Sequence, residues 1–552
     1  MKANRLPVLL LIAGALVIAF VVLRFVQPTD TPNPTGGGTY IEGIAGAPRA
    51  INPLLCELND ADRDLCGLIF SGLTRLNEFG EAQPDLAETW IASPDGLTYT
   101  VKIRDTARWH DGIMVDAEDV VFTAQLLQAP DFPGRADIGA LWQTIKVAKI
   151  DDQTVRFVLS QPIASFPDFL SIGLLPRHVL STTNAANIDK VPFNLQPIGT
   201  GGWKLTNVAS AGTRVSAITL EPVSRDNVTH KPFLDKIILR YYTSPQAVFE
   251  AFRIGEIDGT GGLTPDLMNR LIGRDDLTIH TTELARSVSV FINTRKDSGT
   301  VALSEKPVRQ ALMYALDRDR LVREALAGQA VVADSLFIPD TWAYHTGVKK
   351  YTTNALRAVE LLRGAGYELR AVAPSPREVW QKDGEALSFT LLTPDDPVRR
   401  AVAEAVATQW RELGVVVAVQ PVRNLARDFL ATRQFQAALT DLEMGGDPEV
   451  YALWHRSQTV TGQNYAGYES KEVSDWVEQA RLSQDRTVRA ELYRKLQDAL
   501  ADDLPAIPLY HPIYRYVIAN YVRNVQLPPL LNTSDRLRNV SDWAISTRAP
   551  RR

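Results

Sequence analysis

Cysteine is nearly missing from this chain: Cys56 and Cys66 are the only two in 552 residues. That count excludes a disulfide-built scaffold and a four-cysteine metal site. Excess charge of one sign is missing too. The 59 Lys+Arg and 64 Asp+Glu leave a net charge of −5, which argues against the basic stripe of a duplex-binding protein. There is no Walker-type phosphate loop, no HExxH, no CxxC and no G-x-S-x-G elbow, so no nucleotide, zinc or serine-hydrolase chemistry is written locally. The 7 histidines (110, 178, 230, 280, 345, 455 and 511) include no i, i+4 pair. What is present is ordinary globular composition, 45% hydrophobic and 22% charged, which rules out wholesale disorder and a multi-span membrane protein. The length predicts roughly two to four structural units, each with its own core.

The N-terminus sets the compartment. Residues 6–23 carry no charge, with Lys2 and Arg5 before them and Arg24 after. Spanning the hydrocarbon takes roughly 17–25 apolar residues, so this run predicts a transmembrane helix. A cleaved signal has a shorter apolar region and ends in small residues, whereas Phe25, Val26, Gln27 and Pro28 follow here. An uncleaved anchor is therefore expected. The positive-inside rule keeps Lys2 and Arg5 cytoplasmic and places the rest outside. Residues 28–38 (PTDTPNPTGGG) read as a flexible tether. In an oxidising compartment Cys56 and Cys66 either close a short loop or remain two separate buried thiols.

The body beyond the tether alternates strands and helices. Residues 97–104 (LTYTVKIR) and 154–159 (TVRFVL) alternate apolar and polar positions, the signature of half-buried strands. Further strands are expected at 215–220, 236–242 and 288–293. Asp116 is placed to cap a helix running to Gln128, with Glu118 and Asp119 in its first turn. Residues 387–392 read as a strand. Asp396-Pro397 then opens a helix that Gly414 ends, and 415–420 form a second strand. Connections this short imply a parallel pair with a right-handed crossover. One long amphipathic helical region is expected over 473–502, broken by the proline-rich LPAIPLYHP at 504–512. Trp109-His110-Asp111-Gly112 reads as an Asp-Gly turn with the Trp packed beneath it rather than a catalytic His–Asp pair.

Several ordered segments carry a resemblance. INPLL (51–55), LIFSGLTR (68–75), PDLAETW (84–90), the run 87–104 with ARWHDG and AEDVVFTA, PIGTGGWKL (197–205), AFRIGEIDG (251–259), FINT (291–294), VRQALMYALDRDRLV (308–322) and GGDPEVYALWH (445–455) follow in order. Together they resemble the extracellular solute-binding proteins of family 5, the dipeptide, oligopeptide and nickel binders of ABC importers. That resemblance implies an α/β, periplasmic-binding-protein-like two-lobed fold (type II, cluster C-like) with three domains behind the N-terminal anchor. Its division of the chain would be 39–69 with 198–284 and 506–552 as domain I, 70–197 as an inserted domain II, and 285–505 as domain III. Crossover strands would lie near 281–291 and 505–510.

The implied activity is binding without catalysis. Two lobes would close on a peptide or other small solute and deliver it to ABC permease subunits, the protein being a monomer that needs no cofactor, metal or nucleic acid. A ligand sensor signalling to a membrane partner is the alternative that the same fold allows. Peptide-binding relatives fix the peptide α-amine with an aspartate four residues before the Pro of the "D-P" motif; here that position is Met444, with Glu443 beside it and Asp447 next to Pro448. The expected ligand-facing residues are Trp342, Tyr344, Asp447, Trp454, His455 and Tyr465. The aromatics would supply amphipathic walls, and Asp447 or His455 polarity.

Overall fold

The computed structural model describes residues 37–223, 232–297, 300–339, 341–371, 378–460 and 462–546. The predicted membrane anchor, and the tether up to residue 36, lie outside these described residues. Among the described residues no helix is long and apolar enough to cross a membrane.

A long mixed sheet is the backbone of the molecule. From one edge its strands run Val416–Val422, Ser388–Pro394, Ala437–Glu443, Arg286–Ile292 and Ala506–Ala519. It continues through Gly259–Thr260, Thr39–Ala45, Lys236–Tyr242, Arg214–Pro222 and Trp203–Ala211. A separate antiparallel sheet holds Ala87–Ala92, Thr98–Ile103, Thr154–Leu159 and Ile145–Asp151. Local signals account for much of this. Asp116 accepts from the Glu118 and Asp119 amides and starts the helix Ala117–Gln128 with a capping box. Asp396 caps Pro397–Leu413, and Gly414 ends it at φ 99°, a left-handed conformation suited to glycine. The strands on either side of that helix, Ser388–Pro394 and Val416–Val422, are parallel neighbours as the spacing predicts.

The structure corrects one expectation and extends another. The helical region expected over 473–502 is two helices, Lys471–Leu482 and Arg486–Asp503. Apolar periodicity runs through the break, but Asp485 turns its carboxylate back onto the Thr487 and Val488 amides and begins a new helix. The proline-rich stretch beyond is not only a breaker. It opens the 14-residue strand Ala506–Ala519. Pro508 and Pro512 are carried within it, opposite Ser289 and Ala330.

This strand joins two separately packed bodies. Its first part pairs with Arg286–Ile292, bringing Val288 opposite Tyr510 and Phe291 opposite Ala506. Its last part pairs with Leu277–Glu283, from Glu283 opposite Ile513 to Leu277 opposite Ala519. The hydrophobic clusters divide at the same place. One body is built on Tyr40 to Tyr241 with Tyr516 to Trp543 and a smaller cluster around Phe249 and Phe252. The other is built from residues between Ala285 and Tyr510. Trp109 is buried, and its Nε1 donates to Asp119 at 3.0 Å, so the Trp109–Gly112 segment is a packed turn.

Cys56 and Cys66 are joined as a disulfide, with Cα atoms 6.5 Å apart. It closes the loop between the short turn Cys56–Leu58 and the helix Asp60–Ile69.

Candidate functional site: the seam between the two bodies

The bodies touch along a seam built from two small elements of the first body and one acidic segment of the second. In the first body a hairpin pairs Thr74–Leu76 with Ala82–Pro84. Its tip is closed by the Asn77 amide on the Glu81 carbonyl at 3.0 Å, and by the Gly80 amide on the Asn77 carbonyl at 3.0 Å. Gly80 sits at φ 73°, in the left-handed region. Glu81 then reaches across to Arg486 at 2.7 Å, and this bond is the main reason its carboxyl is held below the ordinary range. Nearby, the Ala164 amide donates to the Arg481 carbonyl at 3.1 Å, and Gln463 meets Asp137 at 3.5 Å.

The second body presents the end of strand Ala437–Glu443 and the segment after it, where every carboxylate faces an arginine. Asp441 pairs with Arg286 at 3.3 Å and Arg399 at 3.4 Å. Glu443 also pairs with Arg286, Asp447 is held bidentately by Arg489, and Glu449 lies 3.7 Å from Arg481. Arg286 lies on one joining strand. Arg399 donates to the hydroxyl of Tyr510 on the other, at 2.8 Å. Ion pairs to Arg286 tie this wall to one crossing strand, and the Arg399 hydrogen bond to Tyr510 ties it to the other.

Asp168 stands out among the acids. It lies half-buried in the short helix Phe166–Phe169, facing Arg489 and Arg486 across the seam. Burial pushes its carboxyl up to about 7, although both guanidinium groups pull it down.

The sequence-predicted residues scatter around this seam. Trp342 lies on it: its Nε1 donates to the Gly446 carbonyl at 2.8 Å, and Arg486 and Arg489 each lie 5.0 Å from its ring. Tyr344 is half-buried beside it. Tyr465 packs edge-on against Phe291 with Arg433 5.1 Å above its ring, and it lies within electrostatic reach of Asp137 and Arg135 of the first body. Asp447 spends its charge on Arg489. Trp454 is fully buried, stacked on Phe291 at 6.0 Å, as a core residue. His455 stacks on Tyr451 at 4.3 Å and bonds Ser457 at 2.7 Å, with burial lowering its pKa. Met444 is buried, its amide donating to the Ala285 carbonyl at 3.1 Å.

Sequence reasoning missed Gly80, Glu81, Asp168, Gly446, Arg486 and Arg489. Glu81 and Arg486 are 405 positions apart, so no local spacing could pair them. Among the described residues no group of three or more His, Cys, Asp or Glu is placed to hold a metal ion.

Comparison with known proteins fits this arrangement. The oligopeptide-binding protein AppA of Bacillus subtilis (strain 168) is 29% identical over 525 residues, covering 92% of each chain. Its structure in complex with a nonapeptide superposes with a TM-score of 0.75 at 27% identity, over 93% of this chain and 100% of that one. NikZ from Campylobacter jejuni in complex with Ni(L-His) gives a TM-score of 0.74 at 26% identity, over 92% and 99%. Two packed bodies joined by shared strands, with this likeness, define a solute-binding protein fold. Residues 81–464 match the family described as bacterial extracellular solute-binding proteins, family 5 Middle, and the chain belongs to that family.

Proposed function

We propose that this protein is the extracytoplasmic substrate-binding component of an ABC importer, capturing a peptide or peptide-like solute between two lobes that close as on a hinge. The observation that carries this reading is the pair of crossing strands, Leu277–Ile292 in two pieces and Ala506–Ala519, linking two separately cored bodies. Two linkers of this kind restrict relative motion to hinge bending, so binding energy can shift an open–closed equilibrium. On this reading domain I is 39–69 with 198–284 and 506–552, domain II is the inserted 70–197, and domain III is 285–505. The charge-free run 6–23 would tether the protein to the outer face of the membrane, next to its permease.

The solute would contact Trp342, Tyr344 and Tyr465, while Asp447, Trp454 and His455 hold the wall behind them. With Met444 buried where peptide-binding relatives place an aspartate, a free peptide amine loses its expected anchor. A buried ammonium without a paired charge is costly. Native mass spectrometry of the purified protein, followed by isothermal titration with di- to pentapeptide pools, tests the reading. A co-purifying peptide or peptide-like mass supports capture; submicromolar binding of ordinary peptides would defeat the amine argument. Turnover of a peptide library would overturn the binding-only role.

A further inference from the structure

At one point the seam has backbone on both sides and no side chain between. A Cβ on Gly446 would lie closer than 3.0 Å to Gly80 Cα and the Phe79 carbonyl, and a Cβ on Gly80 would lie equally close to Gly446 Cα and N. Real Cβ atoms do not tolerate such contacts. For Gly446 the reason is spatial rather than conformational, because its φ lies outside the left-handed region that favours glycine. Its nearest obstacles all belong to the opposite body. Gly445, next in sequence, would meet only the Asp447 carbonyl, at 3.8 Å. Both partners are also held in place. The Gly446 carbonyl accepts from Trp342 Nε1 at 2.8 Å, and Gly80 sits in the hydrogen-bonded hairpin tip.

We propose that Gly80 and Gly446 are positioning residues for closure, a side-chain-free contact that lets the lobes approach far enough to trap the solute. The proposal rests on the hinge-closure reading above. A methyl group at either position would act as a wedge. Packed interfaces do not absorb an added methyl without displacement. The bonds that depend on close approach, Ala164 to Arg481 at 3.1 Å and Glu81 to Arg486 at 2.7 Å, would then be out of reach.

The test uses the full chain with Glu81→Cys and Arg486→Cys, two partly exposed positions on opposite sides of the seam, and a short bismaleimide to record closure without any ligand. Adding Gly446→Ala should slow cross-linking roughly tenfold or more, given the usual cost of overpacking a tight contact. Gly80→Asn, whose side chain tolerates the left-handed backbone, should do the same from the other lobe, and Gly445→Ala should leave the rate unchanged. A Gly446→Ala protein that folds and cross-links at the parent rate overturns the proposal. If Gly446→Ala lowers the melting temperature, Gly80→Asn decides in the same way. If the parent pair fails to cross-link with both glycines in place, the closure reading itself falls.

Discussion

Single residues in this protein matter most where charges are buried in opposed pairs. Arg536 is the clearest case. Its Nε donates to Glu42 at 2.9 Å, and its two terminal nitrogens donate to Asp64 at 2.6 Å each. Glu42 also accepts from Tyr516 at 2.6 Å and from Tyr40. Both carboxylates are buried, at 0% and 4% exposure, so neither has water to fall back on. Removing one partner of a buried ion pair typically costs about 3–5 kcal/mol, because the other charge is left uncompensated. Arg536→Ala should therefore lower unfolding free energy by that order, measured by denaturant titration. Asp447 shows the same point at the seam. Its acidity is plain in the sequence, but the arginine that absorbs it stands 42 positions away.

Elements are where the sequence is most legible, and where its limits can be located. Capping and termination are local, so Asp116, Asp396, Pro397 and Gly414 announce their helix in the order the structure uses them. The break at 483–485 was hidden because the apolar spacing continues through it while the cap consists of one aspartate. That cap should have a measurable cost: replacing an N-cap Asp by Ala loses about 1 kcal/mol. Asp485→Ala should lower stability by that amount in a denaturant titration. It should also loosen the first turn, which presents Arg486 and Arg489 to the seam. The proline-rich stretch reads locally as a breaker, and only the resemblance places a crossover strand near 505–510, where the structure has one. Two prolines argue locally against a strand, and only its register with Arg286–Ile292 and Ala330–Val332 shows why they fit. The α/β class follows from pattern; the seam does not, because its partners come from distant parts of the chain.

At the scale of the whole molecule, stability is linked to protons through Asp168. Burial in the fold pushes its carboxyl up to about 7, against about 4 in water. The folded state therefore binds an extra proton between those values, so this group favours folding at low pH and opposes it increasingly as the pH rises towards about 7, with no further loss above. Asp168→Asn should remove this contribution. Denaturant titrations should show the stability of the variant relative to the parent rising between about pH 4 and pH 7 and level above that. The long strand Ala506–Ala519 has another consequence. All four hydrophobic clusters draw on it: Tyr516 and Ile518 in one, Val517 in the second, Ile507, Leu509 and Tyr510 in the third, Ala506 in the fourth. Melting either body exposes apolar surface of the other at their common strand, so the two are thermodynamically coupled. Calorimetry of the intact chain should show one cooperative endotherm instead of a separate one for each body.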